Sequence, residues 1–377
     1  MRLGVNLLYL VPGEVGGSET AARESLAALR RVAPGLDAVL YVGREARESI
    51  EAEPWAAGWR VVESPAPSRS KPLRLAAELT WLPMRVRRDG IDLLHSMGTT
   101  TPPLCPVPSV VSVLDLIYHH YPETFPRAAR LGLELLVPLG ARRADRVIAI
   151  SEAGKRDLVK TLGLPAAKVD AVLLGFGLPE LAEPAPEDAL RARFGLRGRV
   201  VLTVSPALRH KNLGRLIDAF VQVAAREPDL TLVVVGHPGL EREALERAAD
   251  GLGLAGRVVF TGWVSDAELE GLYGLASVFA YPSLMEGFGI PVLEAMRRGL
   301  PVASSNATSL PEVAGDAAEL FDPLDTAAMA GAIARLLDDD ALRAELIERG
   351  RRRAGGFTWE KSARGLLAVY ERALSRS

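Results

Sequence analysis

Two glutamates eight positions apart, Glu286 and Glu294, bracket the stretch "MEGFGIPVLEAMRRG" at 285–299. Pro291 suits the first position of a helix and Gly299 the residue just past its end, so a short helix is predicted between them, with Glu294 in its first turn. Gly287 and Gly289 carry no side chain to hold a ligand away from the backbone amides. A helix N-terminus attracts anions, phosphate above all. The two carboxylates would repel a phosphate, but they accept hydrogen bonds from hydroxyl groups. Amides for phosphate beside carboxylates for hydroxyls suit a ligand that contains both, such as a nucleotide sugar. An ordinary strand-to-helix turn with a capping acid produces the same pattern without any ligand.

Other loops carry polar chemistry. In "LTVSPALRHKNLGRLIDAF", 202–220, Arg209, His210 and Lys211 fall after a strand-like run and before a helix-like one. Positive charge there would offset a diphosphate and stabilise it as a leaving group; solvated surface cations are the alternative. In "YLVPGEVGGSETAARESLAAL" Gly16 and Gly17 separate a strand from a helix. They read either as a flexible turn with Ser18 as N-cap or as a glycine loop for phosphates. Ser151 reads equally as a helix cap or a loop polar group. The acids at 338–340 open a surface helix, "DALRAELIERG", rather than a metal site. Cys105 is the single cysteine, which rules out an intrachain disulfide and a cysteine-based zinc site.

The elements that must position these residues alternate along the chain. "LGVNLLYLV", "DAVLYVG", "IDLLHS", "SVVSVLDL" and "DRVIAIS" in the first half read as strands, as do "RVVLTVS", "LTLVVVG", "RVVFTG", "SVFAYPS" and "LPVASS" in the second. Several are almost continuously apolar, as strands covered on both faces should be. Amphipathic helix-like stretches separate them. With 377 residues this pattern predicts an α/β protein of two doubly wound domains. "GFGLPELAEPAPED" marks the join within 175–200, and a last helix covers roughly 358–375. Open parallel sheets bind ligands at the carboxyl ends of their strands, so two such sheets facing one another would share an interdomain cleft. The net charge of −2 gives no general reason to expect a nucleic-acid partner. No apolar run reaches spanning length, and the lone cysteine fits a reducing compartment, so a soluble or peripheral cytoplasmic protein is expected. "SRSKPLRLAAELTWLPMRVRR", 68–88, reads as a packed amphipathic helix with a basic solvent face or as a weak peripheral contact with the inner face of a membrane.

"EGFGIPVLEAM" followed by "RGLPVASSNATSLPEVAGDAAELFDP" resembles the carboxyl-terminal signature of glycosyltransferase family 4, whose members are retaining, nucleotide-sugar-dependent enzymes with the GT-B fold. The resemblance extends over most of the chain and is strongest in 196–330. It implies two Rossmann-like domains across a cleft: 1–178 binding the acceptor, 179–356 binding the nucleotide sugar, and 357–377 a helix packing back on the first. It implies that Glu286 holds donor sugar hydroxyls near the reacting carbon and that Glu294 binds the ribose. Amides of Gly287, Phe288, Gly289 and Ile290 would contact sugar and phosphates. Lys211 and Asn212 match the family's phosphate loop, in which Ser205 replaces the usual glycine and Pro206 stands where many members have a phosphate-binding arginine. Lys211 is therefore expected on the diphosphate, with Arg209 as a substitute second cation. "FTGWVSDAELEGLYGLASVFAYPS" resembles the base-binding region, with the backbone of Gly262 and Val264 at the nucleobase. Gly16 and Gly17 match a Gly-Gly loop near donor phosphates and acceptor. In "PSVVSVLDLIYHHYPETF" Leu114 takes the place of a family histidine, leaving Asp115 as the nearest polar candidate for catalysis ahead of His119 and His120.

The implied reaction moves a hexose from GDP-mannose or a UDP- or ADP-hexose to an acceptor hydroxyl on a glycan, lipid-linked or small molecule, with no metal or cofactor. A nucleotide-sugar epimerase and a non-catalytic nucleotide-sugar-binding protein are the alternatives.

Overall fold

The structure, a computed structural model, describes residues 1–177 and 182–375. The chain forms two compact units, Met1–Gly175 with Phe357–Ser377, and Phe176–Gly356. The expected division between 178 and 179 lies outside the described residues.

The first unit is built on seven parallel strands, β1 (Arg2–Leu7), β2 (Asp37–Val42), β3 (Arg60–Glu63), β4 (Leu93–Ser96), β5 (Ser109–Val113), β6 (Arg146–Ala149) and β7 (Val169–Ala171). Their order across the sheet is β3-β2-β1-β4-β5-β6-β7. The second unit carries β8 (Val200–Val204), β9 (Thr231–Val235), β10 (Val258–Gly262), β11 (Val278–Tyr281), β12 (Val302–Ser305) and β13 (Glu319–Phe321). These run β10-β9-β8-β11-β12-β13, again all parallel. In each sheet the chain winds outward from a central strand, then returns to that strand's other side. The reversal falls between β1 and β4 in one unit and between β8 and β11 in the other.

The central strands are apolar on both faces because helices cover both. β4, β5, β6, β9, β11 and β12 are buried at every residue. Three strands went unmarked in the sequence: β3, β7 and β13. All lie at sheet edges, are three or four residues long, and mix buried with half-exposed or exposed positions. The last helix, Trp359–Leu374, returns to the first unit. Its Trp359, Ala363, Leu366, Val369, Tyr370 and Ala373 join the core made by β1, β2 and the Gly17–Val32 helix. Asp339 caps the Asp340–Gly355 helix by accepting from Leu342 N, which is the surface-helix role expected of the acids at 338–340. No group of three or more His, Cys, Asp or Glu side chains able to hold a metal occurs among the described residues.

Candidate active site

In the second unit the loops leaving β8 and β11 meet at the point where the strand order reverses. The β8 loop contains a 3-10 turn, Arg209–Lys211, and the helix Leu213–Ala224 follows. Asn212 joins them in the left-handed conformation, φ 59°. Its amide nitrogen donates to Pro282 O (3.1 Å) and Pro323 O (2.8 Å), tying this loop to the two beside it. The loop is thus held from two sides, and Lys211 is aimed inward.

Lys211 Nζ lies 2.6 Å from Glu286 Oε1 and 3.3 Å from the Tyr281 hydroxyl. Both members of the ion pair are nearly enclosed, with side chains 12% and 10% exposed. Burial pushes the Glu286 carboxyl upward, but the Lys211 charge and its hydrogen bond, with the Ser283 and Tyr281 hydroxyls adding to them, outweigh it and hold the group below the ordinary carboxylate range. Glu286 is therefore ionised at neutral pH and can only accept hydrogen bonds.

The turn after Glu286 is fixed from β12's loop. Glu286 N donates to Thr308 Oγ1 at 3.0 Å, and Ser309 Oγ lies 3.0 Å from Glu286 O and 2.6 Å from Phe288 O. Gly289 sits at φ 124°, and a Cβ there would come within 2.8 Å of Leu310 Cδ2. Both facts call for glycine. The helix starts at Ile290, one residue before Pro291, and runs to Arg297. Glu294 is its fifth residue, one position past the first-turn place expected from a start at Pro291. The Gly289 backbone, which is not helical, sets that start. Glu294 is accordingly no cap; its Oε2 accepts from the Tyr273 hydroxyl at 3.0 Å. Arg298 stacks over the Tyr273 ring at 4.3 Å and pairs with Glu270. Burial raises the Glu294 carboxyl, and Arg298 and Tyr273 only partly offset it.

The remaining expected donor contacts are dispersed around this pair. Arg209 opens the same 3-10 turn but is exposed. Gly262 ends β10 at a register shift, with φ 70°, and Val264 follows the 78%-exposed Trp263. Tyr273, Tyr281, Thr308 and Ser309 were not singled out in the sequence. The tyrosines lie in runs that read as core, and the serine and threonine lie in the signature stretch with nothing to mark them as braces.

In the first unit Gly16, at φ 57°, stands at the N-cap of the Gly17–Val32 helix with open space around both glycines. The Ser18 cap is not formed: Ser18 Oγ donates to Val15 O instead, because the helix begins a residue before it. Ser151 does cap, accepting from Gly154 N at 2.9 Å. Asp115 is half-buried and its Oδ1 accepts from Ile117 N at 3.0 Å. Leu114 lines a cavity with Ser18, Ser112 and Ser362, and His120 pairs with Asp157 at 3.0 Å.

Residues 187–353 match the family model described as glycosyl transferases group 1, and residues 15–176 match glycosyltransferase family 4. The D-inositol 3-phosphate glycosyltransferase of Salinispora arenicola is 32% identical over 80% of this chain and 67% of its own length. This chain is a family 4 glycosyltransferase. The O-antigen chain mannosyltransferase B of Escherichia coli is 28% identical over 70% of both chains. The serotype-specific mannosyltransferase WbdA of the same organism is 32% identical over 62% of this enzyme, which spans 30% of that longer protein. Among solved structures, sucrose-phosphate synthase from Thermosynechococcus elongatus superposes with a TM-score of 0.75 at 23% identity, covering all of both chains. HepE of Anabaena, solved with UDP and glucose, gives 0.72 at 22% identity, covering 98% and 99%. These likenesses carry the fold, and the glycosyltransferase has the GT-B fold. No helix among its described residues is long and apolar enough to cross a membrane.

Proposed function

We propose that this glycosyltransferase moves a hexose from a nucleoside-diphosphate sugar to an acceptor hydroxyl with retention of anomeric configuration. The observation that carries the reading is the Lys211–Glu286 pair at the strand-order reversal of the second unit, a cation for diphosphate joined to a carboxylate for sugar hydroxyls. Lys211 would exchange Glu286 for the donor diphosphate, and the freed carboxylate would take the sugar. Glu294, held by Tyr273, would accept from the ribose, and the amides of Gly287 to Ile290 would meet sugar and phosphates. Gly262 and Val264 would meet the base, Arg209 would add a second cation, and Gly16 and Gly17 would approach the phosphates from the first unit.

In the transfer step the bond from the anomeric carbon to the leaving phosphate oxygen breaks. A bond to the acceptor oxygen forms on the same face. The acceptor proton passes to the leaving phosphate, with Asp115, beside Leu114 in the sequence, proposed to assist. No metal and no cofactor enter this scheme. The protein's part is positioning and charge stabilisation. Mannosyltransferase relatives and a UDP-bound structural neighbour support GDP-mannose or a UDP-hexose as donor, with ADP-hexose the third choice. A glycan or small-molecule acceptor fits the same relatives. The exposed Leu73, Leu79 and Met84 of the Lys71–Arg88 helix would favour peripheral contact with an anionic membrane face.

The test is calorimetric titration with GDP, UDP, ADP and dTDP, repeated on Lys211→Ala. One diphosphate is expected to bind well and to weaken at least tenfold in the variant. Equal affinity in wild type and variant would sink the assignment. Trp263, exposed beside the base region, gives an independent fluorescence readout.

A further inference from the structure

The first unit has its own strand-order reversal, between β1 and β4, and a polar cluster fills it. Asn6 and Ser96 pair in register at the carboxyl ends of these strands, and Asn6 Nδ2 lies 3.2 Å from Ser96 Oγ. Asn6 Nδ2 also donates to Glu78 Oε1 at 3.1 Å, and Thr100 Oγ1, in the loop after β4, donates to Glu78 Oε2 at 2.9 Å. Glu78 is 3% exposed, and both its oxygens are engaged here. It belongs to the Lys71–Arg88 helix, the crossover from β3 to β4.

Arg74 lies one turn before Glu78 on the same face of that helix. Its Nε is buried and unpartnered, and its guanidinium makes no hydrogen bond or ion pair with any described residue. That is unusual for a half-buried arginine, whose five donors ordinarily find carboxylates or carbonyls. A crossover helix runs antiparallel to its strands, with its N-terminus at their carboxyl edge. Glu78 is level with the strand ends, so Arg74, about 6 Å nearer the helix N-terminus, stands just beyond them. That is the crevice where a doubly wound sheet takes its ligand. Glu78 supports Arg74 by charge but is too occupied to neutralise it through a direct pair. Burial lowers the affinity of Arg74 for its proton, with Glu78 opposing, so an incoming anion gains a partly desolvated donor fork.

We propose that Arg74 receives an oxyanion, phosphate or carboxylate, carried by the acceptor, so that the enzyme glycosylates an acidic rather than a neutral alcohol. This rests on the reading of the first unit as the acceptor side. Glu78, Asn6 and Thr100 are positioning residues that fix the helix face bearing the guanidinium.

The experiment measures inorganic phosphate binding by phosphorus NMR line broadening in wild type, Lys211→Ala, Arg74→Gln and the double variant. Phosphate binding is expected to survive Lys211→Ala and to weaken at least tenfold when Arg74→Gln is added, with Arg74→Lys restoring part of it. Loss of all phosphate binding in Lys211→Ala alone, no effect of Arg74→Gln on that background, or no binding in wild type would each overturn the proposal. Unchanged thermal melting of Arg74→Gln shows that the fold is kept; if it melts early, Arg74→Lys, which retains charge without the fork, decides by the same titration. Competition by acetate, by glycerol 3-phosphate and by vesicles containing phosphatidic acid then assigns the anion to a carboxylate, a soluble phosphate ester or a lipid phosphate. None of these arms involves nucleotide. A failed donor reading, seen as nucleoside diphosphate binding indifferent to Lys211, is therefore told apart from a failed anion site.

Discussion

At the scale of single residues the site is governed by which groups hold charge in an enclosed place. Lys211 and Glu286 satisfy one another at 2.6 Å. Removing one leaves the other as an uncompensated charge, a change that costs about 3–5 kcal/mol at buried pairs. Glu286→Ala should therefore lower both stability and turnover, the latter by at least a hundredfold, while nucleoside diphosphate affinity holds or improves because Lys211 is released. Single-turnover rates and calorimetry on the same preparation check this; affinity falling in step with turnover would count against a sugar-side role. The pairing of these residues was legible only in part. The sequence marked Lys211 and Glu286 separately, 75 positions apart, as groups suited to phosphate and to hydroxyls. Nothing in it joined them, and nothing marked Tyr281 as their neighbour, because a tyrosine ending a buried strand looks like core.

At the scale of elements the turn from Glu286 to Ile290 sets where the helix starts. Gly289 holds a backbone angle that other residues reach only with strain, and Leu310 fills the space a Cβ would need. Gly289→Ala should cost about 1–3 kcal/mol, read as a lower melting temperature, and should weaken nucleotide binding because the free amides of the helix are re-aimed. The strands show which elements a sequence announces. Ten central or long strands stood out as apolar runs of strand length, several of them almost continuous. β3, β7 and β13 did not, since an edge strand is covered by few neighbours and needs few apolar residues. The helix of Glu294 was read to within a residue: Pro291 and Gly299 mark its limits, and the non-helical backbone of Gly289 sets its first residue at Ile290.

For the whole molecule the last helix matters most. Trp359–Leu374 follows the second unit in sequence but completes the core of the first. Ending the chain at Gly356 removes Val369, Tyr370 and their helix and should leave the first unit's core residues that pack on them without a cover. Scanning calorimetry is expected to show the first unit's transition lost and the second's retained. The same helix supplies Tyr370, whose hydroxyl is 2.8 Å from His95 Nδ1, while Ser112 Oγ is 2.8 Å from Nε2. Burial pushes the imidazole down to about 3 from its usual 6.5. A group whose folded value is depressed in this way gives stability that is present above the unfolded value and is lost as pH falls toward the folded one. The first unit should therefore lose melting temperature as pH drops below about 6.5, and His95→Gln should flatten that slope. The sequence by itself determined the fold class, two doubly wound domains, and the chemical types in the donor loops, because apolar periodicity and loop composition are local properties of the chain. Only the tertiary structure decided that Lys211 pairs with Glu286, that Tyr273 holds Glu294, and that Arg74 Nε is buried without a hydrogen-bond partner. Those facts depend on which strand lies beside which, and strand order follows from packing between segments far apart in the chain.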